Sequence, residues 1–269
     1  MKNFEKDYVA LIGYISERGC VKSTRNARTK SLFGVQFYFD DLNYSTLPIL
    51  QGRKIYTSGV IGELAAMLKG PKTVQDFKDQ GCNYWDAWRD DEGKLNVDYG
   101  NLWLDFNGVN QLEAVVNSLK NDPSSRRHLI SGWKPDNVAD LSLPCCHYSY
   151  QWYVTDDGHL DMVWVQRSVD VMVGLPSDIL LAAVFNILMA QTVGLTPGTV
   201  TMQFGDTHIY ESHKPGVAAY LEQAKVLDLN LSEPQWNLAK EATVFNFVPS
   251  MLEIVNYSHA PAINFKLEV

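Results

Sequence analysis

Pro144-Cys145-Cys146-His147 places two thiols directly before an imidazole. Thiolate, not thiol, attacks well, so a reactive cysteine needs cationic or hydrogen-bonding neighbours. Gln166-Arg167-Ser168-Val169-Asp170 sets a guanidinium beside a hydroxyl, as does Ser125-Arg126-Arg127. That combination suits a phosphate, because Arg donates in a bidentate fork and Ser adds a further donor. In Gly205-Asp206-Thr207-His208-Ile209-Tyr210, His208 and Tyr210 lie two apart and share a face of an extended segment, so both can meet one ligand edge. A thiol, an anion clamp and a polar contact of sugar size describe an enzyme that attacks a phosphorylated small molecule.

Each of these residues also has a plainer role. A cysteine in an apolar strand is a small core residue, and strand alternation sends Cys145 and Cys146 to opposite faces, so only one can point into a given cleft. Arginine pairs are commonly solvated, although Arg126 and Arg127 here precede a strand and Arg167 follows one. Glu63, within Val60-Ile61-Gly62-Glu63-Leu64-Ala65-Ala66-Met67, is either the exposed edge of a helix or a carboxylate in apolar surroundings, suited to moving protons. A zinc site competes wherever Cys adjoins His. Zinc deaminases need H-x-E followed by P-C-x-x-C, which this chain lacks, and adjacent cysteines chelate one metal poorly. No metal is expected.

The chain has 269 residues, enough to bury a sizeable core. Lys and Arg number 23 against 31 Asp and Glu, a net charge of -8, which argues against nonspecific binding to nucleic acid or an anionic membrane. An anionic ligand must therefore meet a local basic cluster. The charged opening Met1 to Asp7 reads as no signal peptide, and the cysteines (Cys20, Cys82, Cys145, Cys146) lack disulfide-scaffold spacing, so a reducing cytoplasm is expected. The apolar run 179–195 contains Asn186, Gln191 and Thr192, and reads as a buried core helix rather than a membrane span.

Positioning those groups falls to interspersed helices and long strands. Helical spacing predicts helices over 4–18, 58–68 (capped by Ser58), 111–119, 179–195 and 216–225. Aromatic and β-branched runs predict strands over 128–133, 147–154, 160–166, 199–204, 243–247 and 251–255, with Asp156-Asp157-Gly158 as a hairpin turn. Without a regular βαβ rhythm, α+β is the expected class. Neither repeat nor linker is evident, so a single domain over 1–269 is expected.

Taken together these segments resemble the thymidylate synthase family over nearly the whole chain. The matching segments are Trp85-Asp86-Ala87-Trp88, Asp98-Tyr99-Gly100, Ser125-Arg126-Arg127, Pro144-Cys145-Cys146-His147, Gln166-Arg167-Ser168-Val169-Asp170, Gly174-Leu175-Pro176 and Gly205-Asp206-Thr207-His208-Ile209-Tyr210, all in order. The resemblance implies a large bent mixed β-sheet flanked by helices, and a homodimer packed sheet to sheet. It implies transfer of a one-carbon unit from 5,10-methylenetetrahydrofolate to a pyrimidine nucleoside monophosphate. Cys146 is then the nucleophile at C6, with Glu63, Tyr99 and His147 as the proton-relay network. Arg167 and Ser168 hold the phosphate, joined by Arg126 and Arg127 of the other subunit and by Arg25 or Arg28. His208 and Tyr210 take the ribose. Trp85, Trp88, Leu143, Asp170, Gly174 and the terminal Val269 form the folate site, with Arg53 or Lys54 at the glutamate tail.

Asp178 departs from the family, which carries Asn after Pro-Phe where this chain has Ser177-Asp178. A fixed Asn amide satisfies uracil O4 and N3–H. Cytosine instead presents an amino donor and an N3 acceptor, which a protonated Asp complements; an ionised Asp complements N3-protonated cytosine. This resembles bacteriophage deoxycytidylate hydroxymethylases, and points to dCMP hydroxymethylation. Methylation of dCMP, thymidylate synthesis or hydroxymethylation on dUMP, and a noncatalytic nucleotide-binding paralogue stand as alternatives. The plainer reading makes Ser177 and Asp178 a cap for a helix starting near Ile179. Two polar changes favour water over hydride at the product step: Glu268 in the tail, and Ser177 in place of a cofactor-facing Phe.

Overall fold

The computed structural model describes residues 3–40, 42, 45–227 and 231–268. The first helix, α1 (Asn3–Arg18), buries Tyr8, Leu11, Ile12 and Ile15 on one face. It leads into β1 (Cys20–Ser23) and β2 (Arg28–Phe39). Then come α2 (Thr57–Met67), the short α3 (Val74–Lys78) and α4 (Asn101–Leu104), and α5 (Gln111–Asn121). The remaining chain forms β3 (Leu129–Ser131), β4 (His147–Val154), β5 (His159–Asp170), α6 (Gly174–Val193), β6 (Thr196–Tyr210), α7 (Lys214–Lys225), β7 (Gln235–Leu238) and β8 (Leu252–Val255).

Six strands make one sheet in the order β1-β2-β6-β5-β4-β3, and β7 pairs with β8 in a small second sheet. β5 and β6 run parallel while the other pairs of the large sheet are antiparallel, so the sheet is mixed and the class α+β. A parallel pair needs a long crossover, and α6 supplies it. Its residues from Ile179 to Ala190 are all buried, which is why the run is apolar all round. Asn186, the polar exception, donates from Nδ2 to the Leu160 carbonyl at 2.9 Å. Trp103 stacks on Phe185 of α6 at 4.8 Å, and Trp152 and Tyr150 of β4 meet the same ring edge-on.

Two glycines meet where β2 pairs with β6. Between the pairs Phe33↔Asp206 and Val35↔Phe204, Gly34 faces Gly205, and Gly34 has a φ of +77°, a conformation that side chains disfavour. The sheet face away from the helices leaves Gln36, Tyr38, Gln151, Tyr153 and Gln203 exposed.

Several sequence expectations need correction. β2 was not anticipated, because Gly34 interrupts the alternation of its sequence. The strand expected over 243–247 is a turn. Thr243 N and Oγ1 both donate to Asn246 Oδ1 (2.7 and 2.9 Å), while Val244 and Phe247 plug into the core. Side-chain bonds of this kind compete with strand pairing. Ser58 does not cap α2, which begins at Thr57 without a side-chain cap. α6 begins at Gly174, five residues before Ile179, behind an uncapped Val173. The strand expected over 199–204 extends to 196–210.

Candidate active site

The fold brings the chemical groups to one end of the parallel pair. β4 runs antiparallel to β5, so the start of β4 lies beside the end of β5: His147 pairs with Gln166, and Arg167 N donates to the Cys146 carbonyl at 2.8 Å. β6 continues alongside, pairing Ser168 with Asp206 and Asp170 with His208. α6 then starts four residues after Asp170 and carries Asp178 back toward the same region.

Cys145 is buried and Cys146 half-buried. The backbone between them is braced by Arg167, whose Nε donates to the Cys145 carbonyl (2.8 Å) and Nη2 to the Pro144 carbonyl (2.9 Å), with the guanidinium over the Trp133 ring. Burial pushes the Cys146 thiol up; the Arg167 charge and a hydrogen bond with Tyr99 oppose this, and the negative charge of Asp178 adds to it. Cys145 is pushed higher still by burial. Of the two, Cys146 is the better placed to ionise. Tyr99 Oη accepts from Cys146 N at 2.5 Å, and its ring packs on His147 at 4.6 Å. His147 is held neutral, its pKa pushed by burial down to about 3, with Nδ1 against Tyr150 Oη at 2.6 Å.

Two carboxyl groups are tuned upward. Burial raises Glu63 to about 7, although Tyr84 and Trp85 donate to it at 2.6 and 2.8 Å. Burial raises Asp178 to about 7 as well, reinforced by the charges of Glu63 and Asp170 and opposed by a hydrogen bond from Gln166. These mutual influences tie Cys146, Asp178, Glu63 and Asp170 to one locality. Gln166 links two of the elements: Trp164 Nε1 donates to its Oε1 (3.0 Å), and its Nε2 donates to Asp178 Oδ2 (2.8 Å). Because α6 begins at Gly174, Asp178 sits within the helix and is not its cap. Gly174 opens α6 close to the Asp178 carboxylate.

On β6, His208 and Tyr210 are both buried with rings 5.0 Å apart, edge to face. Asp206 accepts from His208 Nδ1 at 3.1 Å and from Lys22 at 2.8 Å. Asp170 Oδ1 accepts from Met172 N and Val173 N (2.9 and 3.3 Å), and burial raises its pKa. The C-terminal segment lies against this end of β6. His213 Nε2 donates to the Lys266 carbonyl (2.7 Å), Asn26 to the Glu268 carbonyl (3.1 Å) and Ser212 to Glu268 Oε1 (2.8 Å).

Other candidates are spread more widely. Trp85 is buried between Phe77 and Tyr99, whereas Trp88, 5.3 Å from it, and Leu143 are half-buried. Ser168 is half-buried beside the exposed Arg167. Arg28 faces Glu211 at 3.7 Å, and Arg25 is exposed on the turn between β1 and β2. Arg53 and Lys54, both candidates for the glutamate tail, differ in setting. Arg53 is buried, donates to the Met172 carbonyl and lies over the Phe265 ring, whereas Lys54 beside it is exposed. Val269 lies outside the described residues.

Arg126 and Arg127 are not at this end at all. Trp152 N donates to the His128 carbonyl and Gln151 Nε2 to the Arg126 carbonyl, placing the pair beside the far end of β4. From Cys146 to Gln151 the strand climbs roughly 17 Å at about 3.3 Å per residue. Both arginines are exposed there, beside a hollow of about 410 Å³ that they line with Asp122, Ser124 and Ser125.

Sequence reading passed over Tyr84 and left Gln166 without a role. Both act through carboxylates more than ten residues distant in the chain, a relation that local spacing does not reveal. A buried acid that can exchange protons, a braced thiol and a nearby guanidinium suit nucleophilic activation of a ring carbon in an anionic substrate. The family model described as thymidylate synthase matches residues 6–269. This chain belongs to the thymidylate synthase family, whose members transfer a folate-borne one-carbon unit to a pyrimidine nucleotide.

Proposed function

We propose that the substrate is dCMP and the product 5-hydroxymethyl-dCMP, made by a cytoplasmic homodimer acting as a single-domain enzyme. The observation carrying the substrate assignment is Asp178, an acid held by Gln166 toward the end of β5, whose carboxyl is pushed by burial up to about 7. Gln166 donates to Oδ2 and so fixes it as an acceptor, which leaves a proton on Asp178 to sit on Oδ1. One donor and one acceptor side by side complement the cytosine N3 and amino edge. The competing role as a helix cap has lost its support, since α6 starts before this residue.

In this reading the Cys146 thiolate adds to C6, with Arg167 and Ser168 at the phosphate and His208 and Tyr210 at the ribose. 5,10-Methylenetetrahydrofolate supplies the one-carbon unit, received at C5. Asp170 suits the folate ring: one carboxylate oxygen accepts from two backbone N–H groups, and the other has no hydrogen-bond partner among the described residues. Trp88 and Leu143 are half-buried surfaces on which a flat ring can pack. C5 then gives up its proton to water and tetrahydrofolate leaves, N5 taking the electron pair of its bond to the one-carbon unit, so that a methylene stands on C5. Water adds to that methylene carbon, its proton passes to Glu63, and the displaced electron pair returns through the ring to expel Cys146 as thiolate.

Methylation is the second reading, and the C-terminal segment favours it. Glu268 is not a loose charge: Lys266 and Ser212 each reach it at 2.8 Å, and its side chain is 8% exposed. A tail secured in this way helps exclude water. Mass spectrometry of products from dCMP and dUMP with 5,10-methylenetetrahydrofolate decides. We expect hydroxymethyl-dCMP without dihydrofolate, and in Asp178→Asn a shift in kcat/KM toward dUMP of roughly 10²-fold or more. Equal or better use of dUMP by the unmutated protein would overturn the substrate assignment. Dihydrofolate matching 5-methyl-dCMP would overturn the product, and no turnover would favour a binding paralogue.

A further inference from the structure

Glu63 projects from α2 and is 9% exposed, yet both of its oxygens are held from the same short segment. Tyr84 Oη donates to Oε2 at 2.6 Å and Trp85 Nε1 to Oε1 at 2.8 Å. Trp85 cannot readily yield, since its ring stacks on Phe77 at 4.5 Å (14° between planes) and meets Tyr99 edge-on at 5.7 Å. Turning the carboxylate would therefore break two hydrogen bonds in a buried site, where each is costly to lose. A carboxylate oxygen accepts at about two positions, so one acceptor position stays free on each. Glu63 also lies close enough to Asp178 for its charge to be felt there.

We propose that Tyr84 is a positioning residue for the one-carbon transfer, its phenol fixing Glu63 in the orientation from which the carboxylate exchanges a proton with water on the substrate side. This rests on Glu63 serving as the proton shuttle, and it holds for either nucleotide and either product. Burial and the neighbouring carboxylate keep the phenol protonated, so Tyr84 stays a donor across the working range. Other titratable groups facing Glu63 are Cys82, a neutral thiol pushed up to about 12, and Asp178.

The test is Tyr84→Phe, which removes the hydroxyl and keeps the ring, assayed with whichever of dCMP and dUMP is turned over. We expect kcat to fall about tenfold, a fraction of what acid–base catalysis supplies, with nucleotide KM changed less than about twofold. The acid limb of the kcat–pH profile should move to higher pH, because the lost donor favoured the charged form of Glu63. The same displacement in an Asp178→Asn background assigns the limb to Glu63. Placing 3-fluorotyrosine at position 84, a more acidic donor, should move the limb the other way, and this variant decides if Tyr84→Phe does not fold. An unmoved limb and unchanged kcat, with Glu63→Gln inactive, would overturn the role of Tyr84. Full activity of Glu63→Gln would instead remove the proton-shuttle reading on which it rests.

Discussion

Cys146 and Cys145 are neighbours in the chain and opposites in environment. Both thiols are pushed up by burial, but Cys146 also hydrogen-bonds Tyr99, keeps partial exposure and lies beside His147. With Arg167 bound to the carbonyls of Pro144 and Cys145, the guanidinium is held where it favours thiolate. Cys146→Ala is therefore expected to lower turnover by more than about 10³-fold. Cys145→Ala should keep much of the activity and lose on the order of 1 kcal/mol of stability, as small buried truncations do. Steady-state kinetics and thermal unfolding of the two variants check this, and a reversed pattern would reassign the nucleophile. At this scale most of the site was legible from residue types: thiol, guanidinium, imidazole and carboxylate each announce a limited chemistry. Their tuning was not, because the upward shifts of Glu63 and Asp178 come from burial and from groups distant in sequence.

The parallel pair β5 and β6, with its crossover α6, sets the geometry between those residues. Where the two strands pair, a Cβ on Gly205 would lie 2.5 Å from the Arg167 carbonyl oxygen, a backbone atom that cannot swing aside. Gly205→Ala is accordingly expected to cost about 1–3 kcal/mol as the strands are forced apart. It should also raise nucleotide KM roughly tenfold, since small displacements of positioning groups are felt strongly. Unfolding curves with substrate titrations measure both; an unchanged KM would mean that Arg167 is not held by this contact. Periodicity made α1 and α5 readable in advance, an uninterrupted apolar run did the same for α6, and the hairpin β4–β5 was readable from its turn. β2 was hidden because its alternation breaks at Gly34, and 243–247 misled because apolar turn residues there fill the core.

For the whole molecule, the separation of Arg126 and Arg127 from Arg167 is decisive. Within one chain they stand at opposite ends of β4, so a single phosphate cannot meet all three. In the homodimer proposed above, the exposed sheet face with Tyr38 and Tyr153 would pack on a second copy, and the arginine pair of each copy would complete the clamp of the other. Mixing inactive Arg126→Ala chains with inactive Cys146→Ala chains should then restore activity, up to roughly a quarter of the unmutated specific activity if subunits exchange at random and each heterodimer regains one site. Heterodimers that form without regaining activity would confine the clamp to one chain. Sequence by itself determined the family, the longer helices, the β4–β5 hairpin and the identity of the reactive groups, because side-chain chemistry and apolar patterning are local properties. Tertiary structure alone decided that Asp178 lies within a helix beside Gln166, that Arg53 faces inward and that the two arginine clusters lie apart. Those outcomes depend on strand register and burial, which arise only when segments remote in sequence pack together.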